Sequence, residues 1–300
     1  MHTQLQAWSE HGQWIELSSP ALRIFVLDEG DASATPDQTL LLIHGFPESS
    51  FSFHKVLEGL SQRFSRIILL DMPGYGLSAK PSDGYSYSLI EQADVMIQVW
   101  QQLGITGGHL LGHDMGTSIA TEICARFVRQ QLPLPDGLLS VTLTNGSMVM
   151  AFSKLRITQK LLLRERWGPG ISRLMTRSIL GHQVRSAHGN DHLSEEDIDL
   201  LWENIKLENG HHRSYQLIKY IRDRYRFEES RWLPSLAALD IPVHLCWGVD
   251  DRVAIIEMAE HLKREIVPQA TFTRLEGVGH FGQLAEPEEW LEGIMAFYGS

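Results

Sequence analysis

The chain has 300 residues, 43 % of them hydrophobic and 21 % charged, enough for a sizeable core and too apolar for a disordered chain. This length fits one α/β domain with an inserted subdomain, or two ordinary domains. The formal net charge of −11 repels phosphate backbones and excludes nucleic acid as an expected partner.

The polar, mixed stretch at residues 1–10 has no signal-peptide pattern. No stretch reaches about 18 uninterrupted apolar residues, so no membrane span and a cytoplasmic location are expected. Residues 14–17 and 21–27 read as a strand hairpin. Residues 30–38 form a polar loop. The wholly apolar run 39–43 reads as a strand buried on both faces. A helix is expected over 53–60 and a strand over 66–70. Residues 88–103 show helical spacing, with Ile90, Ala93, Met96, Ile97 and Trp100 along one face. A strand over 108–112, a helix over 116–129 and a strand over 138–144 follow. This alternation implies parallel pairing with right-handed crossovers.

From about residue 146 to 232 only helical patterns occur. The expected helices span 154–167, 171–180, 195–207 and 213–227; Ser194, with Asp197 three residues on, caps the third. After Pro234 the rhythm returns: strand 243–247, helix 255–266, strand 271–275 and helix 287–297. The predicted architecture is an α/β core domain from residues 1–145 and 234–300, interrupted by an all-helical cap domain at 146–233. Cys124 and Cys246 stand apart and read as buried free thiols. His182, His188, His192, His211 and His212 fit no zinc spacing, and no glycine-rich phosphate loop appears; no metal and no cofactor are expected. Trp167, Trp202 and Trp232 read as cap core.

One segment concentrates the chemistry: strand, then Gly112-His113-Asp114-Met115-Gly116, then helix. A Gly-x-Nuc-x-Gly elbow holds its central residue in a strained turn, and its flanks must be small where strand and helix approach. The central residue here is Asp114. A carboxylate, with a reference pKa of about 3.9, is already ionised near neutrality and attacks an electrophilic carbon directly. The product is an alkyl ester, which a histidine-activated water then hydrolyses. The other members follow in the chain order nucleophile, acid, histidine. Asp250 and Asp251 both follow the strand at 243–247, and position favours Asp251. His280 lies in the glycine-rich loop Glu276-Gly277-Val278-Gly279-His280. The backbone N–H groups of Phe46 and Met115 are the candidate oxyanion donors. His44 and His113 are expected to brace loops. The turn-rich loop at residues 71–78 reads as scaffold for the rim of the site.

Together the Gly-His-Asp-x-Gly elbow, the His-Gly-Phe-Pro-Glu loop, the Asp-x-Pro-Gly-x-Gly-x-Ser loop and the late Gly-His resemble the α/β-hydrolase superfamily, in its epoxide hydrolase and haloalkane dehalogenase branch. Residues 41–50, 63–71 and 219–224 also resemble the mesoderm-specific transcript branch. The resemblance implies a mostly parallel eight-stranded sheet flanked by helices, and hydrolysis of a small organic substrate by water, with the chain acting as a monomer or homodimer. Within the branch, Phe46 and Met115 stand where haloalkane dehalogenases carry halide-binding Asn and Trp. Uncharged Met115 and Ser118 disfavour a carboxylate substrate. Epoxide opening to a diol is therefore the leading expectation, with Tyr220, among the cap tyrosines Tyr215, Tyr220 and Tyr225, best matching the family's proton donor. No second tyrosine occurs between Gly146 and Ser214. Halide release and a non-catalytic binding protein on the same scaffold are the alternatives.

Overall fold

A computed structural model describes residues 2–153 and 155–299 of the chain. Lys154, where the predicted helix over 154–167 begins, lies outside the described residues, as do Met1 and Ser300. Among the described residues, eight strands form one sheet: β1 (Gln13–Ser18), β2 (Ala21–Gly30), β3 (Thr39–Ile43), β4 (Arg66–Leu70), β5 (Gly107–His113), β6 (Gly137–Thr144), β7 (Val243–Gly248) and β8 (Thr271–Leu275). Their order is β1-β2-β4-β3-β5-β6-β7-β8. β1 and β2 pair antiparallel, as do β2 and β4; every later pair is parallel.

The apolar runs explain the centre of the sheet. β3 and β4 are buried at every position. Because side chains alternate along a strand, their residues divide between two cores. Leu41, Ile43, Ile68 and Leu70 pack with helices Leu89–Gln102 and Met115–Val128 on one face. Leu40, Leu42, Ile67 and Leu69 pack with helices Leu57–Ser61 and Pro287–Tyr298 on the other. Each fully buried Leu or Ile contributes roughly 1.5–3 kcal/mol. Arg66 is the polar exception within β4, and its Nε and Nη2 donate to the Asp28 carboxylate at 2.8 and 2.7 Å.

Between β6 and β7 the described elements are all helical. They break where the sequence pattern ran on. The predicted helix over 154–167 shrinks to Ile157–Leu162, and Trp167 is 51 % exposed rather than core. The predicted helix over 171–180 is two helices, Gly168–Arg173 and Arg177–His188, because Thr176 accepts the Ile179 N–H and starts a new one. The second ends on Gly189 in the left-handed region. The pattern over 213–227 divides into Ser214–Leu217 and Tyr220–Phe227. In the core, the helix expected over 53–60 is a 3-10 turn, Ser50–Phe53, followed by Leu57–Ser61. A helix at Thr3–His11 gave no sequence signal, since Leu5 is the sole side chain it buries. No described helix is long and apolar enough to cross a membrane.

Candidate active site

Asp114 sits between β5 and helix Met115–Val128 with φ 46° and ψ −112°. This is the strained turn that the flanking glycines permit. A Cβ at Gly116 would lie 2.3 Å from the Ile43 carbonyl oxygen, and one at Gly112 would lie 2.6 Å from the Gly116 carbonyl oxygen. The turn is pinned by the Asp114 N–H donating to the Thr144 carbonyl at 3.1 Å and by the Thr117 hydroxyl donating to the Asp114 carbonyl at 2.6 Å. The elbow therefore points the carboxylate beyond the carboxyl ends of the parallel strands, where open α/β sheets hold ligands.

The Phe46 N–H donates to Asp114 Oδ2 at 2.9 Å. The loop after β3 can come this close because residue 45 is glycine: a Cβ there would lie 2.7 Å from the Asp114 Cβ. Met115 begins the helix, so its N–H belongs to the first turn, where donors lack partners within the helix.

His280 lies in the loop after β8. Its Nδ1–H donates to Asp251 Oδ2 at 2.7 Å, and its Nε2 is 3.8 Å from Asp114 Oδ1. Asp251 follows β7 and is fully engaged: Oδ1 accepts the N–H groups of Val253 (2.6 Å) and Ala254 (3.0 Å), and Oδ2 accepts Asn145 Nδ2 at 2.7 Å. Asp250 instead accepts Asn190 Nδ2 at 3.3 Å. Burial lowers the His280 pKa, but the charge and hydrogen bond of Asp251, followed by the Asp114 charge, outweigh it and lift the imidazole to about 9.

Glu48 was not anticipated. Burial, then the neighbouring Asp114 charge, raise its pKa to about 8, so it is neutral at pH 7. Its Oε1 accepts Gln283 Nε2 at 2.7 Å, and its Oε2 faces His113 Nε2 at 3.4 Å. His113 Nδ1 donates to Thr144 Oγ1 at 3.0 Å, since that hydroxyl gives its own proton to the Gly112 carbonyl. Burial, then His280, hold His113 well below the ordinary histidine range. His44 joins two loops: Nδ1 donates to the Gly45 carbonyl at 2.9 Å, and Nε2 accepts the Met72 N–H at 3.1 Å.

A family model described as the alpha/beta hydrolase fold matches residues 38–287. The chain belongs to that family. LipZ of Mycobacterium tuberculosis (strain H37Rv), named as a hydrolase, is 33 % identical over 297 residues, covering 97 % of each chain. The mesoderm-specific transcript homolog protein of Bos taurus is 31 % identical, covering 99 % of this chain and 88 % of that one. Epoxide hydrolase 1 of Caenorhabditis elegans is 24 % identical over 265 residues, covering 86 % of this chain and 64 % of that one.

The helical insert of this α/β-hydrolase brings three residues to the site. Tyr220, 3 % exposed, lines a cavity of about 70 Å³ with Asp114, His280 and Phe46. Burial, then the Asp114 charge, raise its pKa, so the hydroxyl stays protonated. Tyr215 lies away from Asp114 in a surface recess, and Tyr225 is 60 % exposed. Arg224 is buried; its Nε donates to Ser118 Oγ at 2.9 Å and its Nη2 lies 4.0 Å from Asp114 Oδ1. The uncharged residues at 115 and 118 thus do not leave the elbow without a cation. The third residue is His188, whose carbonyl accepts the His280 N–H at 3.0 Å and whose Nδ1 accepts the Phe281 N–H at 3.1 Å.

A second tyrosine comes from the core rather than the insert. Tyr75, in the loop after β4, is buried and donates to Met115 Sδ at 3.3 Å; burial, then Tyr220 and Asp114, raise its pKa. Two missed residues had a readable signal. Asn145 directly follows β6 with φ 47°, a conformation asparagine tolerates better than most residues. Arg224 is four residues after Tyr220, one helical turn along the same face. His188 and Glu48 meet the site through long-range packing and had none. Among the described residues, no group of three or more His, Cys, Asp or Glu side chains is arranged to hold a metal.

Proposed function

We propose that this α/β-hydrolase opens epoxides to vicinal diols through an alkyl ester on Asp114. The observation that carries the reading is a carboxylate, not a hydroxyl, at the elbow, held by Phe46 N–H through Oδ2 while Oδ1 faces His280 Nε2. In this reading Oδ1 attacks a ring carbon, the carbon–oxygen bond breaks, and its electron pair leaves on the ring oxygen. Tyr220 gives that oxygen a proton. Water then loses a proton to His280 Nε2 and adds to the Asp114 carboxyl carbon. The oxyanion forms on Oδ2, where the Phe46 and Met115 N–H groups stabilise it; one such donor contributes a factor of roughly 100–1,000 in rate. The intermediate collapses, the diol oxygen takes the proton from His280, and the acid proton on Asp114 returns to the Tyr220 oxygen.

The electrostatics support the order of steps. In the free site Asp114 helps keep His280 protonated. Ester formation removes that negative charge, so His280 releases its proton to solvent and becomes a base when a base is needed, taking a proton back from solvent once the Asp114 carboxylate is restored. A halide leaving group fits less well, because the side chains of Phe46 and Met115 offer it no N–H or O–H donor. The insert at residues 146–233 serves as the cap in this scheme, closing the cavity with Tyr220 and apolar Leu180 and Val184. Carboxylate attack on an ester would give a high-energy anhydride, which argues against an acyl esterase.

The test is the intact mass of the His280→Gln protein after incubation with separate pools of epoxides and haloalkanes. A gain of the whole epoxide mass, mapped to Asp114, is expected. A gain of haloalkane minus HX would replace epoxide opening with dehalogenation. No adduct from either pool would remove Asp114 as nucleophile for both classes.

A further inference from the structure

The helical insert places a buried cation, Arg224, beside the proposed nucleophile and the proposed proton donor. The Arg224 side chain is 4 % exposed. Its Nε donates to Ser118 Oγ (2.9 Å) and its Nη2 reaches the Asp114 backbone carbonyl (3.4 Å), both neutral acceptors, and its guanidinium carbon stands 4.6 Å from the Tyr220 ring centroid. Among the described residues, the carboxylate within 4.0 Å of it is that of Asp114. Glu228, one turn further along, accepts the Met150 N–H at 3.0 Å and meets the Arg224 charge only from beyond ion-pair distance. Ser118 lies in the first turn of helix Met115–Val128, whose unpaired N–H groups also carry partial positive charge, so helix and guanidinium repel.

This arrangement has a consequence during turnover. Arginine does not give up its proton. Once Asp114 is alkylated its charge is gone, and the Tyr220 phenolate beside the guanidinium is the counter-charge only until the acid proton returns. A carboxylate carried by the substrate gives Arg224 a directly hydrogen-bonded partner, which the 4.0 Å to Asp114 Oδ1 does not. The recess holding Arg224 adjoins the cavity over Asp114, with Arg156, Gln159, Tyr220 and Val253 common to both walls. Arg252 lines the recess as well. In a chain of net charge −11, three arginines line the space leading from the proposed nucleophile.

We infer that Arg224 is a specificity-determining residue that binds a carboxylate of the substrate, and that the natural substrates are short 2,3-epoxycarboxylates. The 4.0 Å from Nη2 to Asp114 Oδ1 limits the reach. A carboxylate oxygen at hydrogen-bond distance from Arg224 stands only a few bonds from the carbon that Oδ1 attacks. The apolar part of the substrate then lies against Phe46, Leu180 and Val184. The substrate class rests on the epoxide reading above; the anion site does not.

The experiment compares 2,3-epoxybutanoate with 2,3-epoxybutanamide as substrates, and 2,3-dihydroxybutanoate with its amide as calorimetric ligands, for wild type, Arg224→Gln and Arg224→Lys. Wild type should favour the acid in kcat/KM and in binding. Arg224→Gln should lose roughly 10- to 100-fold on the acid and far less on the amide, a charged hydrogen bond being worth about that much. Arg224→Lys should recover part of the loss, and its folding is checked by its melting temperature. Arg224-dependent binding of the dihydroxy acid without turnover of either epoxide would keep the anion site and overturn both the epoxide reading and the substrate class. Turnover of the amide with no preference for the acid in either assay would overturn the inference and leave the epoxide reading standing. Equal losses on acid and amide in Arg224→Gln would also overturn it, making Arg224 a support of the Asp114 turn.

Discussion

Phe46 N–H holds Asp114 by Oδ2 at 2.9 Å, and this one bond distinguishes the two carboxylate oxygens. Oδ1 is left facing His280 at 3.8 Å and Arg224 at 4.0 Å. In the proposed mechanism Oδ1 is therefore the attacking oxygen, and Oδ2 the one on which negative charge develops when the ester is hydrolysed. The same mechanism has water enter at the carboxyl carbon, not at the substrate. A single turnover in ¹⁸O-labelled water, with enzyme in excess over epoxide, should leave the label in the peptide containing Asp114 and none in the diol. Label in the diol after one turnover would mean direct attack of water on the ring, with Asp114 acting as a base.

The core of the site was legible because its chemistry is local. Gly112 and Gly116 announce a turn that larger residues cannot make, and the order Asp114, Asp251, His280 follows from which strand precedes each loop. The division of β3 and β4 into two cores follows from their unbroken apolar runs. The insert was legible only in outline. Its helices break at Thr176 and near Ile218, where capping and tertiary packing override a helical pattern that continues in the sequence. His188 and Glu48 act across 92 and 66 residues of chain from the groups they meet, counted as 280−188 and 114−48. No local pattern carries such distances.

His188 should be a positioning residue for His280. Its backbone and ring accept two successive N–H groups of the His280 loop, and its Nε2–H donates to Glu286 at 3.1 Å. A Cβ on Gly279 would lie 2.5 Å from the ring, so the fit is close. His188→Ala leaves the buried Phe281 N–H unpaired, which costs about 1–3 kcal/mol of stability. A loosened His280 slows ester hydrolysis more than alkylation. The variant should show kcat reduced by roughly 10- to 100-fold, with alkylated protein accumulating during turnover in quenched intact-mass spectra. A fall in rate with no accumulated ester would show that His188 matters only to folding.

Stability should fall as the pH rises from 6.5 to 9. His280 has a raised pKa, about 9 against 6.5, so its contribution is complete below 6.5 and disappears as pH rises through 9. Glu48, raised to about 8 from 4.5, favours the folded state below 4.5 and loses that advantage by pH 8. Buried His44, His113 and His244 have lowered pKa values, so they reduce stability only below about 6.5. Calorimetric melting temperatures should therefore decline from pH 6.5 to 9, and Glu48→Gln should flatten the part of the decline below pH 8. An unchanged slope in that variant would mean that Glu48 is ionised in the folded protein.

Tyr220 and Tyr75 should separate under the same substitution. Tyr220 lines the cavity with Asp114, whereas the Tyr75 hydroxyl is committed to Met115 Sδ at 3.3 Å. General acid catalysis contributes typically 100- to 10,000-fold, so Tyr220→Phe should slow alkylation by a factor in that range. Tyr75→Phe deletes a weak bond to sulfur and should slow it by less than about tenfold, given the modest net worth of such a bond. The quantity to measure is the rate of adduct formation in the His280→Gln background, by rapid quench and intact mass, which isolates ring opening from ester hydrolysis. Equal, large losses would mean that both hydroxyls reach the ring oxygen and that Tyr75 turns from Met115 when substrate binds. Full alkylation in Tyr220→Phe would take Tyr220 out of the mechanism and leave Arg224 as the cation nearest the departing oxygen.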